Sequence, residues 1–250
     1  MRLLAIVEYD GTDFAGFQLQ RNQRTVQGEL ERALHKITGD AKRIRVMGAG
    51  RTDAGVHASG QGAHFDSAWE KPLEILHRAL NAVLPNDISI RSLTQVAPDF
   101  SARYNATSRT YRYTILNHVI RSPLNERYAL LVSEPLDVDA MNAAARCLIG
   151  EKDFGAFGTP PRGDNTVRRV YRAQVERHGD QVLIEIEANA FLYRMVRRIV
   201  GTLLQVGKGT LSIAEFSQVL ERKIRAGEAV PPQGLCLTQV KYERQVTRIG

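Results

Sequence analysis

The alternation of apolar and polar positions divides the chain into two successive series of short elements. LLAIVEY (3–9) is an apolar run closed by Asp10-Gly11, the pattern of a mostly buried strand followed by a turn. From Thr25 the period becomes helical, with Val26, Leu30, Leu34 and Ile37 on one face and Gly39 as the stop. IRVMG (44–48) and QGAHFD (61–66) read as strands. Pro72 opens a second helix with Leu73, Leu76, Leu80 and Val83 on one stripe, and ISIRSLTQV (88–96) alternates as a further strand. The order is β-α-β-β-α-β.

After APDFSARYNATS the pattern starts again. TYRYTILN (110–117) puts Tyr111, Tyr113 and Ile115 on one face of a strand. VDAMNAAARCLIG predicts a helix ending at Gly150, and VRRVYRAQVER joins QVLIEIEA across His178-Gly179-Asp180 as a hairpin. FLYRMVRRIVGTLLQVG and SIAEFSQVLERKI predict two more helices, LCLTQVKY (235–242) a last strand, and PPRGDN (160–165) and VPPQG (230–234) loops. Two halves of nearly equal element order predict an α+β fold of two pseudo-symmetric ferredoxin-like (split βαβ) halves, 1–100 and 101–250. They would share an extended, mostly antiparallel sheet with helices packed on one side and a central cleft. The duplication is read from element order, because no residue-by-residue repeat accompanies it.

Composition narrows the partners. The chain has 250 residues, 43% hydrophobic and 24% charged, which is ordinary for a globular protein of one large or two smaller domains. Its 34 Lys and Arg outnumber 27 Asp and Glu, for a formal charge of +7, so a polyanion such as nucleic acid, or an anionic membrane, becomes a plausible partner. Cys147 and Cys236 each lie in an apolar run without metal-ligand spacing and read as buried free thiols of a reducing cytoplasm. The N-terminus meets Glu8 and Asp10 too soon for a signal peptide, and no apolar run approaches membrane-spanning length; a cytoplasmic protein is expected.

One stretch, GAGRTDAGVHA (48–58), concentrates candidate chemistry. A dinucleotide fingerprint would need glycine where Asp53 stands, and a P-loop would need Lys and Ser or Thr at Val56 and His57. A nucleophile elbow around Ser59 would need glycine at His57. What remains is Asp53 two positions after Arg51, in a backbone made permissive by Gly48, Gly50 and Gly55. Such an arginine can hold a carboxylate ionised for use as a nucleophile or base; the same pair also fits a surface ion pair or a turn. Arginine recurs beside aromatic residues in Arg103-Tyr104, at 109–113, at 168–172 and at 193–198, the combination that binds phosphates and stacks on unpaired bases. The six histidines show no zinc spacing.

With these residues in view, GAGRTDAGVHA resembles the catalytic motif of the tRNA pseudouridine synthase A family. EYDGTDFAGFQLQ (8–20), RTVQGELERAL (24–34), FSARYNATSRTYRY (100–113), GEKDFGAF (150–157), FLYRMVRRIVGTLLQVGKG (191–209) and PPQGLCL (231–237) are similar to its other blocks, in the same order. The resemblance implies isomerisation of uridine to pseudouridine at positions 38, 39 and 40 of the tRNA anticodon stem-loop. It also implies no cofactor or metal, and a homodimer whose tRNA contacts both subunits. It puts Asp53 on the catalytic aspartate, Arg51 on the arginine two positions before it, Tyr111 on the tyrosine that packs on the target base, and Arg197 on the arginine paired with the catalytic carboxylate. Gly50, Gly55, Val56, His57, Arg109 and Leu237 are expected, with Tyr111, to bind substrate. Phe17 stands where the family has a tryptophan and Cys236 where a tyrosine is common. A non-catalytic RNA-binding protein or tRNA chaperone is the alternative, and a phosphotransferase would need an acidic metal cluster for which Asp66 alone is near.

Overall fold

The computed structural model describes residues 1–39 and 43–243. The elements run β1 (Arg2–Tyr9), α1 (Val26–Thr38), β2 (Met47–Gly48), β3 (His57–Asp66), α2 (Leu73–Val83), β4 (Ile88–Val96), β5 (Ala106–Asn117), β6 (Leu130–Val132) and α3 (Val138–Arg146). They continue with β7 (Gly150–Asp153), β8 (Val167–His178), β9 (Gln181–Ala188), α4 (Met195–Gly207), α5 (Ile213–Leu220) and β10 (Leu235–Tyr242). The class is α+β. The chain forms two compact units: Met1–Thr107 together with the chain from Leu237 onward, and Ser108–Cys236. This division differs from the expected halves 1–100 and 101–250. The boundary falls inside a strand, and the last strand returns to the first unit, a long-range pairing that element order does not encode. Residues 244–250 of the expected second half lie outside the described residues.

In the first unit the strands lie in the order β4-β1-β3-β10, with β2 paired to β3. β1 runs antiparallel to both neighbours, Leu4 facing His64 on one side and Thr94 on the other. Leu3, Leu4 and Ala5 are buried in succession and burial alternates only from Ile6 to Tyr9, which matches the unbroken apolar start of LLAIVEY. Leu30 and Leu34 of α1 and Leu80 of α2 meet Ala5, Phe65 and Ile90 of the sheet in a common core. Thr25 caps α1 by accepting the Gly28 N–H, and Gly39 closes it in the left-handed conformation. The expected strand 44–48 shortens to Met47–Gly48. Ile44 and Val46 are buried as the alternation demands, but the Val46 N–H donates to the Glu31 carboxylate on α1 (3.0 Å) and not to a neighbouring strand.

In the second unit the order is β5-β9-β8-β7, with β6 parallel to β5. The β8–β9 hairpin turns at Gly179 (φ +58°), as its sequence predicts. Two strands were absent from the expected order, β6 and β7. α3 ends at Arg146, short of Gly150, because Gly150 (φ +106°) opens β7 instead of closing the helix. α4 starts at Met195, four residues after Phe191, since Tyr193 bridges Thr159 and Arg194 takes a positive φ (+60°). Cys147 and Cys236 are free but only half-buried, so the expectation of buried thiols is corrected. No helix among the described residues is long and apolar enough to cross a membrane.

Candidate functional site

GAGRTDAGVHA folds as the end of β2, the connecting loop 49–56 and the start of β3. The loop closes on a turn in which the Val56 N–H donates to the Asp53 carbonyl (3.2 Å). Gly55 has φ +76° while Ala54 does not adopt a positive φ, the signature of a type II turn, whose third residue must be left-handed. Asp53 therefore opens a turn that requires glycine two positions later. Its side chain is half-buried between buried Thr52 and exposed Ala54.

Contacts to the chain around EYDG and FAGF fix this loop in place. The Thr52 hydroxyl lies 2.8 Å from the Tyr9 hydroxyl, and the Thr52 carbonyl accepts the Phe17 N–H at 3.1 Å. The Gly55 N–H reaches the Phe14 carbonyl at 3.4 Å. His57 is buried, and its Nδ1 accepts the Gly11 N–H (3.0 Å) with Asp10 Oδ1 3.2 Å from the same nitrogen. A Cβ at Gly11 would sit 2.0 Å from the Val56 carbonyl oxygen, so the two segments meet backbone to backbone and tolerate only glycine there. Tyr9, Thr52 and Gly11 are thus site-building residues that motif spacing did not single out. Their signals in the sequence were coarser: Tyr9 and Gly11 lie in EYDGTDFAGFQLQ and Thr52 in GAGRTDAGVHA, stretches matched as blocks without a role for these residues.

The three glycines of the motif have different surroundings. Gly48 makes room for Phe17, whose ring would lie 2.5 Å from a Cβ there. Gly55 serves the turn. Gly50 has open space on its Cβ side, and its carbonyl accepts the Gln61 side-chain amide at 2.9 Å. Arg51 is exposed, and among the described residues its side chain forms no hydrogen bond or ion pair. It is not the clamp on Asp53 that their spacing suggested, because here the two side chains differ in exposure and do not pair. Val56 and Leu237 are fully buried.

In the second unit, Tyr111 and Arg109 lie on β5, opposite Ile186 and Ala188 of β9. Tyr111 is 9% exposed and its ring meets Phe191 edge-on, centroids 4.9 Å apart. Arg109 donates to the Asn189 carbonyl at 2.8 Å. Arg197 occupies the first turn of α4, where the helix dipole disfavours a cation. Its Nε donates to the Val230 carbonyl (2.6 Å), and the Val230 N–H returns to the Arg197 carbonyl (3.2 Å). Two glycines permit that pairing: a Cβ at Gly201 would meet the Glu228 carbonyl oxygen at 2.0 Å, and one at Gly227 would meet the Gly201 backbone at 2.8 Å. Tyr113, fully buried, donates to the Pro231 carbonyl at 2.8 Å. Burial pushes its phenol pKa up, with the Arg197 charge opposing in part.

A family model described as tRNA pseudouridine synthase matches residues 5–105 and 144–243. The tRNA pseudouridine synthase A of Brevibacillus brevis is 46% identical over 244 residues, covering 96% of this chain and 99% of that protein. The proteins of the same name from Caldicellulosiruptor bescii and Thermoanaerobacter sp. are 43% and 44% identical over 243 residues, each with 96% and 99% coverage. The chain belongs to the tRNA pseudouridine synthase family.

Proposed function

We propose that the chain isomerises uridine to pseudouridine at positions 38, 39 and 40 of the tRNA anticodon stem-loop, with Asp53 as the reacting group. A uridine in a folded RNA arm must leave its stack before its glycosidic bond can break, the base turn and a carbon–carbon bond form. The observation that carries the reading is the setting of Asp53: a half-buried carboxylate on a turn tied to Tyr9, Phe14 and Phe17. A group held this way is preorganised and needs little rearrangement when substrate arrives. Gly50 supplies the open backbone for a nucleotide to approach. In the second unit, Tyr111 is assigned to stacking on the base and to accepting the proton lost from C5, and Arg197 to the same reaction. Arg51, exposed and without an ion pair, suits the role of filling the space the extruded base leaves.

The same reading makes the enzyme a cytoplasmic homodimer that acts on tRNA without metal or cofactor. Mapping pseudouridine in unmodified tRNA incubated with the purified protein and a chelator tests it. Conversion confined to positions 38–40 is expected. Unchanged uridine in tRNA that the protein nevertheless binds would favour a chaperone instead.

A further inference from the structure

In the connection from β4 to β5, residues 101–105 form a tight turn whose tip is unusually exposed and whose base is unusually fixed. Tyr104 is 79% exposed, more than any other aromatic residue among those described, and the Arg103 guanidinium lies 5.8 Å from its ring centroid. The turn is closed internally: the Asn105 N–H donates to the Ser101 carbonyl (3.0 Å), and the Ser101 N–H to the Asn105 side chain (2.7 Å). Beneath the tip, both polar groups of the Ala102 backbone are engaged by distant side chains. Its N–H donates to His64 Nδ1 (3.1 Å) and its carbonyl accepts the Tyr242 hydroxyl (3.1 Å). Arg2, which also pairs with Asp66, donates to the Phe100 carbonyl at 2.9 Å. The buried Phe100 ring packs against His64 and Tyr242. Space for Tyr242 comes from Gly62, where a Cβ would fall 2.0 Å from its hydroxyl.

Such anchoring does not bury Tyr104; it removes the freedom of the turn that carries it. A rigid aromatic face with a guanidinium beside it is the surface on which a nucleobase stacks while its phosphate is neutralised. The position also separates it from the reacting group. The Asp53 loop starts beside His64, where Met47 faces it, but Asp53 itself sits at the far end, in the turn closed by the Val56 N–H, and His57 there lies seven residues along β3 from His64, roughly 20 Å at the rise of an extended strand.

We propose that residues 101–105 form a second RNA contact, in which Tyr104 stacks on an unpaired tRNA base other than the reacting uridine and Arg103 meets the adjoining phosphate. The proposal rests on the reading of the chain as a tRNA-modifying enzyme. Steady-state conversion of tRNA by wild type, Tyr104→Ala and Tyr104→Phe tests it, with wild-type turnover in the same series testing the underlying reading. Loss of one base stack predicts a KM increase between roughly 5- and 150-fold for Tyr104→Ala. That increase should appear with little change in kcat, and Tyr104→Phe should restore it because the ring suffices. Active wild type with an unchanged KM in Tyr104→Ala, or a loss confined to kcat, would overturn the second contact while leaving the enzyme assignment intact. Inactive wild type would remove the assignment itself.

Discussion

At Tyr111 the ring and the hydroxyl can be separated by one atom. The ring is braced edge-on against Phe191, so Tyr111→Phe keeps its position and removes only the oxygen. If that oxygen takes the C5 proton, kcat should fall by roughly 10²- to 10⁴-fold, the range for losing a positioned base, with tRNA binding unchanged. A loss below tenfold would limit Tyr111 to stacking. His64 carries a different prediction. Burial first, and the Arg2 charge second, lower its pKa from the ordinary 6.5. Below about that pH the unfolded chain binds a proton that the folded chain resists, so stability falls as pH drops through this region. The thermal midpoint should decline from pH 7.5 to 5.5, and decline less in His64→Gln; equal declines would assign the effect to other groups. In the sequence, the spacing of Arg51 and Asp53 suggested a pair that the folded chain does not form. A spacing of two shows that side chains can share a face, not that they pair.

Among the elements, the loop between β2 and β3 distinguishes glycines that a motif treats alike. Gly55→Ala forces a side chain into a left-handed position and should cost about 1–2 kcal/mol, loosening the turn that Asp53 opens. Gly50→Ala meets nothing within 4 Å and should fold with wild-type stability. If Gly50 is where the nucleotide approaches, that variant should lose activity while Gly55→Ala loses both activity and thermal midpoint. Chemical denaturation beside turnover separates the two; a wild-type rate for Gly50→Ala would remove it from the substrate path. The helix and strand periods located most elements because burial on one face leaves a period in the sequence. It left none in β6 and β7, which are too short to establish one, and it misled at 44–48, where a helix side chain satisfies the backbone in place of a strand.

Across the whole molecule, the excess of seven positive charges is the coarsest feature and the one composition alone supplied. It predicts tRNA affinity that falls linearly on a log–log plot against salt, by about 0.7–0.9 per phosphate contact. A chaperone would behave the same way, so binding alone does not identify the chemistry. The division into two units was only partly legible: repeated element order announced two similar series, whereas the return of the last strand to the first unit depends on contacts between distant parts of the chain. The measurement that decides most is tritium release from tRNA labelled at uridine C5, followed for wild type and Asp53→Asn at matched tRNA occupancy. The account predicts release by wild type and none by Asp53→Asn, which retains its affinity for tRNA. Release by Asp53→Asn at a rate near wild type would contradict it.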